Sequence, residues 1–278
     1  MLRKAIKYEW RASVRGMLPL YLAMLALSVV THFAQKYLDA GNDIRIFNVL
    51  SVITMILFFI GLSVISISAI VLTVQRFYRS FFSDEGYLTM TLPLSTHKLI
   101  LSRLTVSVIW YALSFFACVL SVFIMIVGGK ELKLFPGALR ELFSALRELI
   151  QRSEGKVVGG AVLLCFELLL CWVLFSALCS LAIYAAMAIG HSFNKHKSLL
   201  SVAFAIAFYQ VGSFLGIVSV AELAERIFPH VSDKQFTAVT ELYRACALSG
   251  IAALLLAFAG AVFYFVTHYF LTRHLNLE

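Results

Sequence analysis

The sequence predicts an all-α, polytopic membrane protein with six transmembrane helices and both termini in the cytosol. Three observations predict it. Hydrophobic residues make up 61% of the 278 and charged residues only 14%, too little polar surface for a soluble chain of this length. Six apolar runs reach the roughly 20 residues that a helix needs to cross the hydrocarbon core, at 17–34, 47–75, 104–128, 157–190, 199–220 and 245–271. The short alternating segments of a β-barrel are absent from the sequence. Apolar content continues nearly end to end, without a linker or low-complexity tract, so residues 1–278 read as a single membrane domain.

The chain opens with Arg3, Lys4, Lys7, Arg11 and Arg15, whereas the loop after the first run carries only Lys36 and Arg45. The positive-inside rule places the N-terminus in the cytosol, and six crossings bring the C-terminus back to that side. Arg3, Lys7, Arg11 and Arg15 recur every four residues beside Leu2, Ile6, Trp10 and Val14. This spacing predicts a basic amphipathic helix with Tyr8 and Trp10 at headgroup depth. It is either an anchor lying on the inner leaflet or an elbow that transmits motion from a cytosolic partner. The run from Met17 to Val30 ends in THFAQ, without a small-residue cleavage site, and is read as a retained span rather than a signal peptide. The net charge of +8 sits beside apolar spans, so the partner it fits is anionic lipid and not nucleic acid. Cys118, Cys165, Cys171, Cys179 and Cys246 form no C-x-x-C pair and have no histidine at metal spacing. They read as small buried hydrophobes, with no disulfide and no metal.

The second and fourth runs are longer than a crossing requires and should tilt, kink or project. Between the second and third runs lies the one long inner loop, Arg76 to Arg103. Ser83 is placed to cap a short helix with Asp84 and Glu85 in its first turn. Gly86 relaxes the backbone, Pro93 ends what precedes it, and Ser95 or Thr96 caps the third span. The short helix carries Tyr87, Leu88, Met90 and Leu92. Apolar groups on a cytosolic helix need cover, from headgroups or from a partner's groove.

The stretch DEGYLTMTLPLS followed by LILSRL resembles the loop between spans 2 and 3 of type-two ATP-binding-cassette permeases, in the version seen in Gram-positive bacteria. The matching positions are Asp84, Glu85, Gly86, Tyr87, Leu88, Leu92, Pro93 and Ser95. Arg103 stands where that family commonly has Lys, and Leu94 where Val is common. Gly86-Tyr87-Leu88-Thr89 replaces the usual G-T-L-E core. The resemblance implies a permease dimer, of two copies or of two different chains, whose loops are gripped as coupling helices by two cytosolic ATPase subunits. The chain contains no G-x-x-x-x-G-K-[ST] phosphate loop, so ATP and Mg²⁺ would be bound by those subunits, with no catalytic residue and no cofactor here. The resemblance further implies that spans 2 and 5 line a pathway. That nominates Asn48, Ser51, Met55 and Phe58 on one face of span 2 and Phe204, Phe208 and Gln210 in span 5. On pattern alone these positions read as core.

Outside that loop, ALRELFS and ALRELIQ, residues 138–151, form a near-duplicate heptad with Leu139, Leu142, Phe143, Leu146, Leu149 and Ile150 on one face. It reads as an interfacial helix, or as a lid or a contact with the partner permease. Pro229 breaks the chain after the fifth run, and Ser232 with Gln235 forms a capping box; by the resemblance, helices here would close an outer gate. Glu167 is the one acid within an apolar run. A charged acid at mid-bilayer costs on the order of 3 kcal/mol, so it should face protein, be protonated, or lie near the outer interface. The plain expectation is a hydrogen bond to a Ser or Gln of a neighbouring span; the functional one is a substrate or gating contact. Gly212 with Gly216, the series Ala182, Ala186, Gly190, and the series Ala253, Ala257, Ala261 read as helix-packing stripes. His191, Lys195, His196 and Lys197 read as a solvated turn rather than a metal site.

Together these features point to a permease of the bacterial plasma membrane, with export of an amphipathic, peptide or lipid-like substrate implied by the resemblance. A non-transporting sensor or immunity protein on the same fold is the alternative. An intramembrane enzyme would need acids, histidines or a Ser/Lys set at one depth. Only Glu167 lies mid-span, with His32 and His268 near span ends.

Overall fold

Long apolar runs become long helices, because inside a bilayer every backbone amide must find its partner within its own segment. In the computed structural model these are α1 (Leu2–Asp39), α2 (Arg45–Phe81), α3 (Thr96–Val127), α4 (Gly155–Gly190), α5 (Lys197–Ile227) and α6 (Ala238–Arg273). The structure describes residues 2–39, 45–83, 86, 95–127, 137, 140, 144, 155–193, 197–227 and 238–273. Side chains at 2, 38, 39, 45, 46, 127, 155–157, 214, 215, 217–227 and 238–241 are not among them. Five helical segments are long and apolar enough to cross a membrane: Arg3–Tyr37, Phe47–Phe81, Thr96–Ile126, Val158–Gly190 and Leu242–Arg273. This is the architecture of a multi-pass membrane protein. The run at 199–220 lies within α5, and its side chains beyond Gly216 fall outside the described residues.

The distribution of side chains agrees with the helix lengths. Ile53, Ile56, Phe59, Phe116, Phe166, Leu254, Phe258 and Phe265 point outward, while Ser28, Thr31, Thr73, Ser102, Ser121, Ser180 and Thr267 are fully buried. An exterior this apolar is unstable in water and stable in lipid. Many of the hydroxyls are satisfied within their own helix. Ser13, Thr73 and Thr267, for example, donate to carbonyls four residues back at 2.7 to 3.0 Å.

The chain divides into two compact units, one of residues 1–76 with 105–145 and the other of 77–104 with 146–278. In the first, α1 and α3 lie side by side and run in the same direction. Tyr21 hydrogen-bonds Ser114 at 2.7 Å and His32 Nδ1 donates to the Met125 carbonyl at 3.0 Å, both at a separation of 93 residues. Met24, Phe58 and Ile65 form one buried cluster and Met17, Ala69, Val106 and Trp110 another.

The N-terminal segment departs from expectation. It is no separate elbow or surface helix; it is the beginning of α1, which continues through Pro19. Ile6, Trp10 and Val14 pack on the Met17–Trp110 cluster, and Trp10 stacks on Trp110 with ring centroids 4.7 Å apart. The apolar stripe is thus covered by α2 and α3, and of the two aromatic residues only Tyr8 stays exposed.

In the second unit α4 and α6 also run in the same direction. Contacts advance along both, from Gly160 with Leu242, through Glu167 with Gly250, to Leu181 with Gly260. Tyr184, Met187 and Ala188 of α4 meet Leu271 of α6, Phe77 and Phe81 from the end of α2, and Leu99 and Ile100 from the start of α3 in one buried core. The small-residue stripes differ in use. Ala186 is buried, and Gly190 admits the backbone of Ser201 so closely that no Cβ fits. Gly212 and Gly216 have no described atom within 4 Å of a Cβ position, so among the described residues nothing packs against them. Ala253 is buried, Ala257 and Ala261 exposed. All five cysteines are free thiols. The heptad at 138–151 is described only at Arg140 and Ser144, both helical and exposed. Pro229, Ser232 and Gln235 fall outside the described residues.

Candidate functional site

The connection between α2 and α3 is the segment the sequence singles out, and its two stems are packed into the buried core of the second unit. Phe77 and Phe81 are 0% exposed. The Phe77 ring lies flat on Tyr184 of α4, centroids 4.0 Å apart and planes 9° apart. One turn on, Phe82 stacks on His191 at 4.1 Å, and Tyr78 meets the same imidazole edge-on at 5.5 Å. These contacts fix the outgoing stem to α4 and to the turn that follows it.

Beyond Phe82, at Ser83 and Gly86, the backbone makes a turn-type bond. The Gly86 amide donates to the Ser83 carbonyl at 2.6 Å. Gly86 is buried, and a Cβ there would come within 2.8 Å of the Phe81 carbonyl oxygen. A side chain would therefore push the loop off its stem, which gives the glycine of the motif a steric reason. Ser83 sits in a bend rather than inside a helix. Asp84, Glu85, Tyr87, Leu88, Leu92 and Pro93 lie outside the described residues. Ser95 immediately precedes α3, and its carbonyl accepts from the amides of Lys98 at 2.9 Å and Leu99 at 3.3 Å, the position of an N-cap.

The returning stem is tied to α6. His97 Nδ1 is hydrogen-bonded to the Tyr264 hydroxyl at 2.7 Å, and the His97 ring stacks on His268 at 3.8 Å. Spacing alone did not reveal these partners, because α3 and α6 are far apart in sequence.

His191 corrects the expectation of a solvated turn. It is 9% exposed, and its Nδ1 donates to the Met187 carbonyl at 2.9 Å, with the Ser201 hydroxyl 3.3 Å away. The Ser201 hydroxyl itself donates to the Lys197 carbonyl at 3.0 Å. Burial, helped by the Lys197 charge and opposed by the Met187 carbonyl, holds the imidazole below its ordinary pKa of 6.5. The unfolded chain then binds more protons than the folded one between the two values. The stabilisation is complete above about pH 6.5 and is lost as pH falls through the folded-state value. Melting temperatures recorded from about pH 8 to about pH 5 should fall, and His191→Gln should remove part of that fall. Identical slopes in the two proteins would refute the burial account. Lys195 and His196 fall outside the described residues.

Glu167 has the serine partner that the plain expectation names. It meets the Ser249 hydroxyl of α6 at 2.5 Å. Ser249 also lies 2.9 Å from the Ala245 carbonyl, and its own carbonyl accepts from the Cys171 thiol at 3.3 Å. The acid therefore faces protein, on a polar seam between α4 and α6.

The positions nominated as pathway-lining differ in burial. Ser51 and Phe58 are buried, Phe58 within the cluster of Met24 and Ile65. Asn48 is half-buried, and its Oδ1 has no hydrogen-bond partner among the described residues. Met55 is exposed, because the seven-residue spacing from Asn48 leaves it at the border of the buried stripe formed by Ser51, Thr54 and Phe58. In α5, Phe204 stacks toward Phe193 and Phe208, and Phe208 meets Phe263 of α6 at 5.0 Å. Gln210, two residues further round, is exposed. Among the described residues no group of three His, Cys, Asp or Glu is placed to hold a metal ion. No protein-family model, curated protein or solved structure matches the chain.

Proposed function

We propose that the chain is the membrane-spanning permease subunit of an ATP-driven ABC transporter of the bacterial plasma membrane, with both termini cytosolic. It works with a second permease subunit and with separate cytosolic ATPase subunits that bind ATP and Mg²⁺. The substrate class is an amphipathic, peptide or lipid-like molecule, moved outward. The single observation that carries the reading is the seating of the α2–α3 connection. A loop with apolar residues in its sequence is held at both stems by a buried core shared with α4 and α6. A partner that pulls on such a loop moves packed helices and not a slack tether, because close-packed interiors transmit displacement. The ATPase must bind two arrangements of those helices with different affinity, or hydrolysis drives nothing. Glu167 and its seam with Ser249 are the candidate gating contact inside the bundle.

The tagged chain, purified in mild detergent, is expected to bring down a polypeptide that hydrolyses ATP. Leu88→Asp combined with Leu92→Asp should cut that recovery roughly tenfold, the effect of losing central apolar anchors in an interface, with the melting temperature unchanged. If no ATPase accompanies the wild-type chain, or if cysteines placed at 88 and 92 react only from outside the cell, the proposal fails.

A further inference from the structure

The five cations at the start of α1 are the largest unpaired charge cluster among the described residues. Arg3, Lys4, Lys7, Arg11 and Arg15 are all exposed, and none has an ion-pair or hydrogen-bond partner there. Like charges four residues apart on a helix repel, so a bound anion would stabilise the cluster. The opposite face needs no ligand, since Ile6, Trp10 and Val14 are already packed against Met17, Ala69, Val106 and Trp110. That packing also fixes which way the cations point.

We propose that this face of α1 binds an anionic phospholipid, with Lys7, Arg11 and Arg15 around the headgroup phosphate. The exposed line continues from Arg15 into Leu18, Leu22, Val29 and Phe33, which are 51%, 59%, 41% and 58% exposed. The order along the helix is cation, then apolar surface, which is the order of a phospholipid from head to acyl chain. A polynucleotide or an acidic protein would match the cations and leave the apolar line bare. Free phosphate would gain nothing from Leu18 and Leu22. The proposal needs only that α1 crosses a membrane, and stands apart from the transporter reading.

The test uses the full chain in phosphatidylcholine nanodiscs, with and without added phosphatidylglycerol. Lipid retained on the protein is read by native mass spectrometry after release, and melting is followed in parallel. The wild-type chain should retain phosphatidylglycerol preferentially and melt higher in its presence. Both effects should weaken as salt shortens the Debye length. The triple variant K7Q/R11Q/R15Q should lose roughly a hundredfold of the preference. It should melt like wild type in pure phosphatidylcholine, because the three side chains hold nothing in the fold. Should it melt lower there, R11Q and R15Q singly carry the test, each expected to lose about fivefold. A wild-type chain without preference overturns the proposal, as does an unchanged preference in the variants. Displacement of the lipid by water-soluble glycerol phosphate at equal concentration would overturn it too, since the site would then be one for phosphate alone.

Discussion

Gly190→Ala is expected to leave almost no monodisperse protein after detergent extraction, and any that survives should melt far below wild type. A Cβ at this position would overlap the Ser201 hydroxyl oxygen and stand 2.5 Å from the Ser201 amide nitrogen and 2.6 Å from its Cα. Rotating the Ser201 side chain relieves only the first of these. The other two are backbone, so α5 would have to move bodily away from the end of α4. That movement would also strip His191 of its Ser201 neighbour and pull at the Met187–Tyr184 stretch of the core. Overpacking alone costs about 1–3 kcal/mol, and a forced backbone shift at a helix crossing adds to it. Gly212→Ala is the matched control. Its Cβ meets no described atom within 4 Å, so the gain in helix propensity, up to about 1 kcal/mol, should leave melting unchanged or slightly raised. Equal behaviour of the two variants would mean that the close crossing of α4 and α5 does not exist.

The contrast between these glycines shows what kind of information the sequence holds. Both stand in apolar helices beside other small residues, and both read as packing positions. Only the partner distinguishes them: Ser201 lies against one, and no described side chain lies against the other. The same holds along α1. An apolar stripe at Ile6, Trp10 and Val14 looks alike whether lipid or protein covers it, and the decision rests with Trp110 on another helix. Lys195 and Lys197, close to His191 in sequence, suggest a solvated imidazole. Its burial comes from Phe82, which belongs to a different helix end. What composition and run length do specify is the property of each segment by itself. Helices sit where the apolar runs are, and all but the fifth qualify as spans from their described residues. Glu167 is an intermediate case. The cost of an acid among apolar residues required a neighbouring donor, and a serine was among the expected ones. Nothing in the sequence pointed to Ser249 in particular. The unequal burial of the nominated pathway positions has a related reason: a helical spacing defines a stripe but not its borders, and Met55 lies on the border.

Phe77→Ala is expected to cost about 3 kcal/mol or more of stability, the range for emptying an aromatic site in a packed core. The ring is wholly buried, stacked on Tyr184 at 4.0 Å and touching Phe81 at 4.8 Å. Among apolar helices in lipid there is little transfer free energy to lose, so the penalty is the lost dispersion contact and the void it leaves. Phe77→Leu refills most of that void and should recover most of the melting temperature. Failure of leucine to do so would assign the stability to the flat aromatic stack. The consequence for function follows from where the void lies. Phe77 belongs to the stem that holds the α2–α3 loop onto α4. On the permease reading, Phe77→Ala should still bind the ATPase, because the loop's own apolar residues are untouched. Substrate should then stimulate ATP hydrolysis less, because motion of the loop no longer reaches α4 and α6 as a rigid displacement. Phe58→Ala provides the comparison, since Phe58 is buried as completely but packs in the cluster of Met24 and Ile65, which contains no residue of either stem. It should lower melting similarly and leave the stimulation in place. If both variants lose stimulation in proportion to lost stability, the core around Phe77 has no special part in coupling, and the loop's seating is a matter of folding alone.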